Sequence, residues 1–308
     1  MTAQVTFTPR ALMLLVLLGT IWGASYTATA IALQGGIGVQ WVVAFRTGGA
    51  CILLWAWLLV TRAPLPRRAG DWAILLALGL IGNAAPFTLI TWGQVTVPSG
   101  LAAILNAATA IFGVLVAALA FRDERLTPQR LLGVGVGLLG VITALGPAQL
   151  LALDLTSLAQ LALVAAGLCY GITGALGRVA LRKVAPEVAA TGMMTGAALS
   201  LVPVALLTEG LPATHYPAGV WLALAYSAFI ATAIAYLIYY NLIASAGAGT
   251  AGMTTLIVAP VSILLGAVLL HESLPLRAYA GFALLAVALV ILDGRLHRRL
   301  AGRAAPAE

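Results

Sequence analysis

LLGTIWGASYTATAIAL, residues 17–33, carries no charged residue, and it is part of an uncharged run that extends from residue 11 to residue 33. About 20 helical residues cross the roughly 30 Å of bilayer hydrocarbon. Lipid offers the backbone no partner, so such a run must satisfy its N–H and C=O groups within itself, as a helix. The run exceeds the roughly 7 to 15 apolar residues of a signal-peptide core and is read as a mature helix. Trp22, Ser25, Tyr26 and Thr29 nevertheless lie in its middle. Their offsets of three, four and seven residues put them on one face. A tyrosine hydroxyl turned to lipid would lack a partner, so this face is expected to look inward. Trp22 and Tyr26 are expected to line a cavity. Ser25 and Thr29 are expected to bond back to their own helix or to a neighbour.

The rest of the chain repeats the theme. Of its 308 residues, 62% are hydrophobic and 8% charged, with a mean hydropathy of +1.06. Soluble domains run near 45–50% apolar and about 25% charged. Ten apolar runs are predicted as helices, at 11–33, 40–61, 72–92, 98–121, 128–146, 157–181, 186–207, 218–242, 248–270 and 276–293. The fold class is therefore an all-α membrane protein with ten transmembrane helices. A net charge of +7 raises the question of nucleic acid, but the basic residues form short clusters between apolar runs, so no nucleic-acid partner is expected. With the N-terminus inside, fourteen of the sixteen Lys and Arg fall on the inner side, leaving Arg277 outside and Arg46 within a span. That asymmetry predicts an N-in, C-in topology. Residues 294–308 form a short basic tail on the inner side. Cys51 and Cys169 sit in apolar runs without metal-ligand neighbours and are read as packing residues.

An offset of 148 positions relates Gly19, Trp22, Gly23, Ala32 and Leu33 to Gly167, Tyr170, Gly171, Ala180 and Leu181, and Glu124, Leu126 and Gly133 to Glu272, Leu274 and Gly281. Two distant anchors sharing one offset indicate a duplication. The repeats run from 11 to 146 and from 157 to 293. Because each contains an odd number of helices, they are inverted in the membrane, an arrangement with two near-equivalent packings, one open to each side. This is the architecture of a carrier.

Polar and aromatic residues recur at helical spacing in other spans. Asn83, Phe87 and Thr91 share a face of the third helix, flanked by Thr88 and Trp92. Asn106 and Thr109 lie in the fourth, Tyr170 and Thr173 in the sixth, and Thr232, Tyr236, Tyr239 and Tyr240 in the eighth. The candidate substrate-binding residues are Trp22, Tyr26, Asn83, Phe87, Thr88, Trp92, Asn106, Tyr170, Tyr236 and Tyr239. An interfacial aromatic belt is an equal account of Trp92, Tyr239 and Tyr240. Arg46 is open to two readings: it snorkels or pairs with backbone carbonyls, or it attracts an acidic substrate group. Pro86 and Pro260 are candidate hinges. His271 and Glu272 are read as helix-end caps, with a titrating gate as the alternative. No Asp or Glu lies deep in a span, which disfavours proton coupling and bare cations. Metal-binding His-Glu-x-x-His, an Asp-rich magnesium site and a phosphate loop are all absent from the sequence, so no enzyme activity, cofactor or metal is expected.

These residues resemble the drug/metabolite transporter superfamily, specifically its ten-helix EamA-type carriers. The likeness spans about residues 11 to 293. It rests on Trp22-Gly23-Ala24-Ser25-Tyr26, Phe45-Arg46 and Asp123-Glu124-Arg125-Leu126 with Gly133, and in the second half on Pro260, His271-Glu272 and Gly281. Tyr170-Gly171 replaces a second Trp-Gly, and Ala110-Ile111-Phe112 stands where a proline is common. The resemblance implies a bacterial inner-membrane exporter of small metabolites with a central cavity between its halves. Within the family the chain looks most like the YddG-type amino-acid exporters, which implies apolar or aromatic amino acids as substrates. Alternatives are a multidrug or other metabolite efflux carrier and, further off, a channel or an intramembrane enzyme. The expected partners are a small-molecule substrate and the lipid bilayer; oligomeric state is left open.

Overall fold

A computed structural model describes residues 9–121, 127–146, 155–180, 184–246 and 254–293. Among the described residues every regular element is helical. The elements are α1 (Pro9–Gln34), α2 (Val39–Thr61), α3 (Ala69–Gly93), α4 (Ser99–Ala120), α5 (Pro128–Leu145), α6 (Leu155–Ala180), α7 (Pro186–Glu209), α8 (218–246), α9 (Thr255–Leu270) and α10 (Leu276–Asp293). Seven of them contain stretches long and apolar enough to cross a membrane: α1 to α4, α6, α7 and α8. The apolar stretches of α5, α9 and α10 are shorter, at Leu131–Ala144, Ile257–Leu270 and Leu276–Leu292. Glu124, the inner-side basic residues Arg122, Arg125, Arg182 and Lys183, and the tail at 294–308 lie outside the described residues.

The turns follow from local chemistry. Gly36, at φ +88°, ends the first helix, and proline starts α5 and α7, where its missing N–H costs nothing. Two features interrupt the regular α-helices. First, α3 widens into a π-helical turn at Leu80–Ala84 and α8 into a longer one at Tyr226–Ile234. Pro86 stands just beyond the first, so its missing donor falls where the hydrogen-bond ladder is already shifted. Second, α4 breaks at Ala107 and Ala108 into Ser99–Asn106 and Thr109–Ala120, with the Thr109 hydroxyl donating to the Asn106 carbonyl at 2.7 Å. Pro260 sits inside a continuous α9 on its exposed side, without a break.

Packing pairs α1 with α8 and α9, α6 with α3 and α4, α2 with α7 and α8, α7 with α3, α4 with α9, and α5 with α10. Close approach is set by small residues, as expected where no hydrophobic force drives helices together in lipid. Gly140 of α5 faces Gly281 of α10 at backbone distance. Two large apolar cores result, and a smaller third. One large core is built from α4 with parts of α5, α6, α9 and α10, and the other from α2 and α7 with parts of α1 and α8; Tyr170 packs against both. The third joins α1 to α8, and Trp22 and Tyr239 pack against it. Outside, Ile52, Leu59, Val60, Leu119 and Leu207 are each more than 70% exposed. That surface is suited to lipid and would aggregate in water.

Candidate functional site

The seam between the two cores is where the polar and aromatic residues gather. On α1, Ser25 donates to the Trp22 carbonyl at 2.7 Å and Thr29 to the Ser25 carbonyl at 2.9 Å, so both hydroxyls are satisfied by their own helix. Their neighbours reach across. The Trp22 indole donates to the Ala231 carbonyl at 3.1 Å, inside the wide turn of α8, and its ring lies 5.4 Å from that of Tyr239. The Tyr26 hydroxyl accepts from Asn106 Nδ2 at 2.8 Å, next to the break in α4. The same break leaves Asn106 Oδ1 buried and unbonded.

From α3, Asn83 is fully buried, and its Oδ1 accepts a short hydrogen bond from the Tyr236 hydroxyl of α8. Asn83 Nδ2 has no partner. One helical turn further, Phe87 lies under the Arg46 guanidinium, whose carbon stands 4.2 Å above the ring centroid. Arg46 itself is 9% exposed, and its Nε donates to Thr232 Oγ1 at 3.0 Å. Thr232 passes its own proton to the Ser227 carbonyl at 2.8 Å, five residues back, a reach that the π-helical turn makes possible. The snorkelling reading of Arg46 is corrected here. Its side chain turns into the protein, because Thr232 and the face of Phe87 offer it polar and π-electron contacts that lipid does not.

Tyr170, Tyr236, Tyr26 and Tyr226 are near enough to Arg46 to interact with its charge. The structure thus brings Tyr26, Phe87, Tyr170 and Tyr236 around Arg46, with Asn106 and Asn83 hydrogen-bonded to two of these tyrosines, and pairs Trp22 with Tyr239 between α1 and α8. Two candidates are not brought in. Trp92 is 39% exposed, and Thr88, half-buried on the same side of α3 as Ile81, Ala85 and Trp92, gives its hydroxyl to the Ala84 carbonyl at 2.8 Å. A face one turn wide cannot point both ways, and Asn83, Phe87 and Thr91 hold the inward one. The side chain of Tyr240 lies outside the described residues. Two apolar surface grooves, of about 510 Å³ beside α1 and about 370 Å³ between α2, α7 and α8, do not meet this cluster.

Contacts that no spacing rule foresaw close one end of the bundle. The Glu209 carboxylate accepts the N–H groups of Gln40 and Trp41 at 2.9 and 3.3 Å, capping α2, while the Trp41 indole donates to the Gly210 carbonyl at 3.0 Å. Glu272 accepts the Ser99 N–H at 2.9 Å, the Ser99 hydroxyl at 2.8 Å and the Gly100 N–H at 3.4 Å, capping α4. A capping role was expected of His271 and Glu272, and none of Glu209. In both places the carboxylate serves the positive end of another helix; the sequence clue was an acidic residue just past each span. His271, at φ +53°, makes the left-handed exit that aims Glu272 sideways.

Tyr236→Phe is expected to lower the unfolding free energy by about 1–3 kcal/mol, because Asn83 is then buried with neither amide atom bonded. Asn83→Leu in the same background should recover part of that loss, as a double-mutant cycle of thermal melts in detergent would register. Additive effects would show that the pair is not coupled.

Comparison with known proteins gives a consistent picture. Residues 9–146 and 157–292 each match the sequence profile described as the EamA-like transporter family. A protein of Streptantibioticus cattleyicolor named "Probable terminal-alkyne amino-acid exporter" is 28% identical over 298 residues, covering 96% of this chain and 95% of that one. An "Uncharacterized transporter" of Archaeoglobus fulgidus is 25% identical, covering 71% of this chain and 76% of that one. A solved crystal structure superposes with a TM-score of 0.67 at 18% identity, covering 94% of this chain and 98% of its own, and bears on the fold alone.

Proposed function

The chain belongs to the EamA-like transporter family, a multi-pass membrane protein with a small-molecule substrate, and on that premise we propose that it exports amino acids with apolar or aromatic side chains by alternating access. The observation that carries this reading is the convergence of Tyr26, Asn83, Phe87, Asn106, Tyr170 and Tyr236 at the seam between two packed cores, with the Trp22–Tyr239 pair joining α1 to α8. Such an aromatic wall with a few placed polar atoms suits a small apolar solute with a polar head. The exporter of S. cattleyicolor supports amino acids as the class.

Two inverted five-helix repeats, making ten crossings with both termini in the cytoplasm of the cell's inner membrane, provide the exchange of states. Three observations support them. The family profile matches twice. The packing pairs survive the exchange of each helix with the one five places on: α1 with α8 and α9 becomes α6 with α3 and α4, and α2 with α8 becomes α7 with α3. The π-helical turns of α3 and α8 occupy matching places. Transport is facilitated exchange, since the described acidic residues, Asp71, Glu187, Glu209, Glu272 and Asp293, stand at helix ends.

In proteoliposomes, radiolabelled phenylalanine or leucine is expected to show saturable uptake, stimulated by unlabelled substrate inside and similar with or without a pH gradient. Non-saturating flux without trans-stimulation would overturn the carrier reading in favour of a channel. Trp22→Ala should slow counterflow about tenfold or more in a folded protein, since it removes a wall of the site and its bond to α8.

A further inference from the structure

Arg46 holds a full positive charge in the middle of the bundle, and the described structure gives it no anion. Its recorded contacts are one hydrogen bond to Thr232 and the face of Phe87, both uncharged. Among the described carboxylates, Glu209 and Glu272 are already committed to helix N-termini, and Asp71, Glu187 and Asp293 stand at helix ends. A buried cation is costly unless an opposite charge or a set of acceptors meets it. Guanidinium carries five donors in a planar fork, and its Nε alone is engaged by a side chain. One turn along α3 from the ring it covers, the fully buried Asn83, bonded to Tyr236, which itself interacts with Arg46, has a further unused donor, Nδ2. The surroundings therefore supply donors and positive charge, and the polar groups near Arg46, the tyrosine hydroxyls and Asn106 Oδ1, carry no negative charge to balance it.

We propose that Arg46 is the anchor for the substrate's carboxylate, with Asn83 Nδ2 as an additional donor, so that the transported molecule itself brings the missing anion. The bidentate match of guanidinium to carboxylate supplies orientation as well as attraction. The aromatic residues around it then receive the side chain. Selection is by the acid group: amino acids and simple aryl carboxylates enter, while the corresponding amides and decarboxylated amines leave the guanidinium unpaired and bring no compensating charge. Thr232 and Phe87 hold the side chain in place and act as positioning residues. This assignment rests on the exporter reading for its biological meaning, and its test does not depend on transport.

The test uses the full chain purified in detergent, with thermal protection as the readout and four probes sharing one ring: phenylalanine, 3-phenylpropionate, phenylalaninamide and phenethylamine. Wild-type protein is expected to be protected by the two acids at concentrations at least about tenfold lower than by the amide or the amine, because the latter leave a buried polar group unpaired. Arg46→Gln is expected to shrink that preference to within about twofold, and Arg46→Lys, which keeps the charge without the fork, to give an intermediate preference. If Arg46→Gln does not fold, the wild-type ranking and the lysine variant still decide. Equal protection by acids and amides in the wild type overturns the assignment even where amino-acid counterflow is observed. Acid-selective, Arg46-dependent protection without counterflow of any amino acid upholds the anchor and overturns the exporter reading instead.

Discussion

Gly79→Val is expected to abolish recovery of folded protein, or to lower its melting temperature drastically, because the contact between α3 and α7 is made by backbone. A Cβ on Gly79 would stand 2.1 Å from the Met193 carbonyl oxygen and 3.1 Å from the Ala197 nitrogen. The approach is reciprocal, since a Cβ on Gly196 would meet the Leu76 carbonyl oxygen at 2.4 Å and its Cα at 2.7 Å. A flexible side chain could rotate away from such a clash, whereas a helical carbonyl cannot. The helices must separate, and Leu75 and Met194, both essentially inaccessible, lose their packing with them. Inserting even one methylene into a packed core costs about 1–3 kcal/mol, and here two further methyl groups follow the first against rigid atoms. Gly79→Ala should destabilise in the same direction by less. Gly70→Ala, at a helical position where a Cβ meets nothing within 4 Å, serves as the control and should melt like wild type. A Gly79→Val protein that is monodisperse and melts normally would show that α3 and α7 do not approach in this way.

The second large effect is expected at Glu272. Its carboxylate gathers three donors at the start of α4, and the Ser262 hydroxyl of α9 adds a bond to the Ser99 carbonyl at 3.0 Å, so α9 and the α9–α10 turn are tied to the beginning of α4. Glu272→Ala leaves the wholly buried Ser99 with unmet donors and removes a negative charge from the positive end of a helix. The cost is about 2–4 kcal/mol if the closed packing is kept. Opening this end avoids that cost by letting water reach the freed groups. A cysteine at the buried Val97, in a background lacking Cys51 and Cys169, should therefore react faster with a water-soluble thiol reagent in Glu272→Ala than in otherwise wild-type protein. Glu272→Gln, which keeps one acceptor, should lie between. Unchanged labelling together with an unchanged melt would remove Glu272 from the closure of this end.

The inward face of the first helix was legible before any tertiary contact was known, because a Tyr and a Trp at mid-run have few places to put their polar atoms. The helical runs were legible for the same reason, and the described ends fall within about four residues of those expected, save the start of the ninth run, where the expected residue 248 lies outside the described residues and the described helix begins at Thr255. The aromatic residues of α6 and α8 could be nominated by spacing alone. Trp92 and Thr88 could not be separated from Asn83 and Phe87 that way, since all four lie within ten residues of one helix and only its rotation in the bundle decides which side meets protein. The wide turn of α8 had no clue comparable to Pro86. It is nonetheless what places the Thr232 hydroxyl under Arg46 and the Ala231 carbonyl before Trp22.

By itself, the order of residues determined that this chain is a helical membrane protein, because solvation of an uncharged backbone in lipid leaves one local solution for each run and that solution needs no distant partner. The folded bundle alone decided where Arg46 points and which helices Glu209 and Glu272 cap. Each of these charges takes its orientation from groups far away in the chain, Thr232 and Phe87 for the buried arginine and the starts of α2 and α4 for the carboxylates, and such partners exist only once the helices have packed.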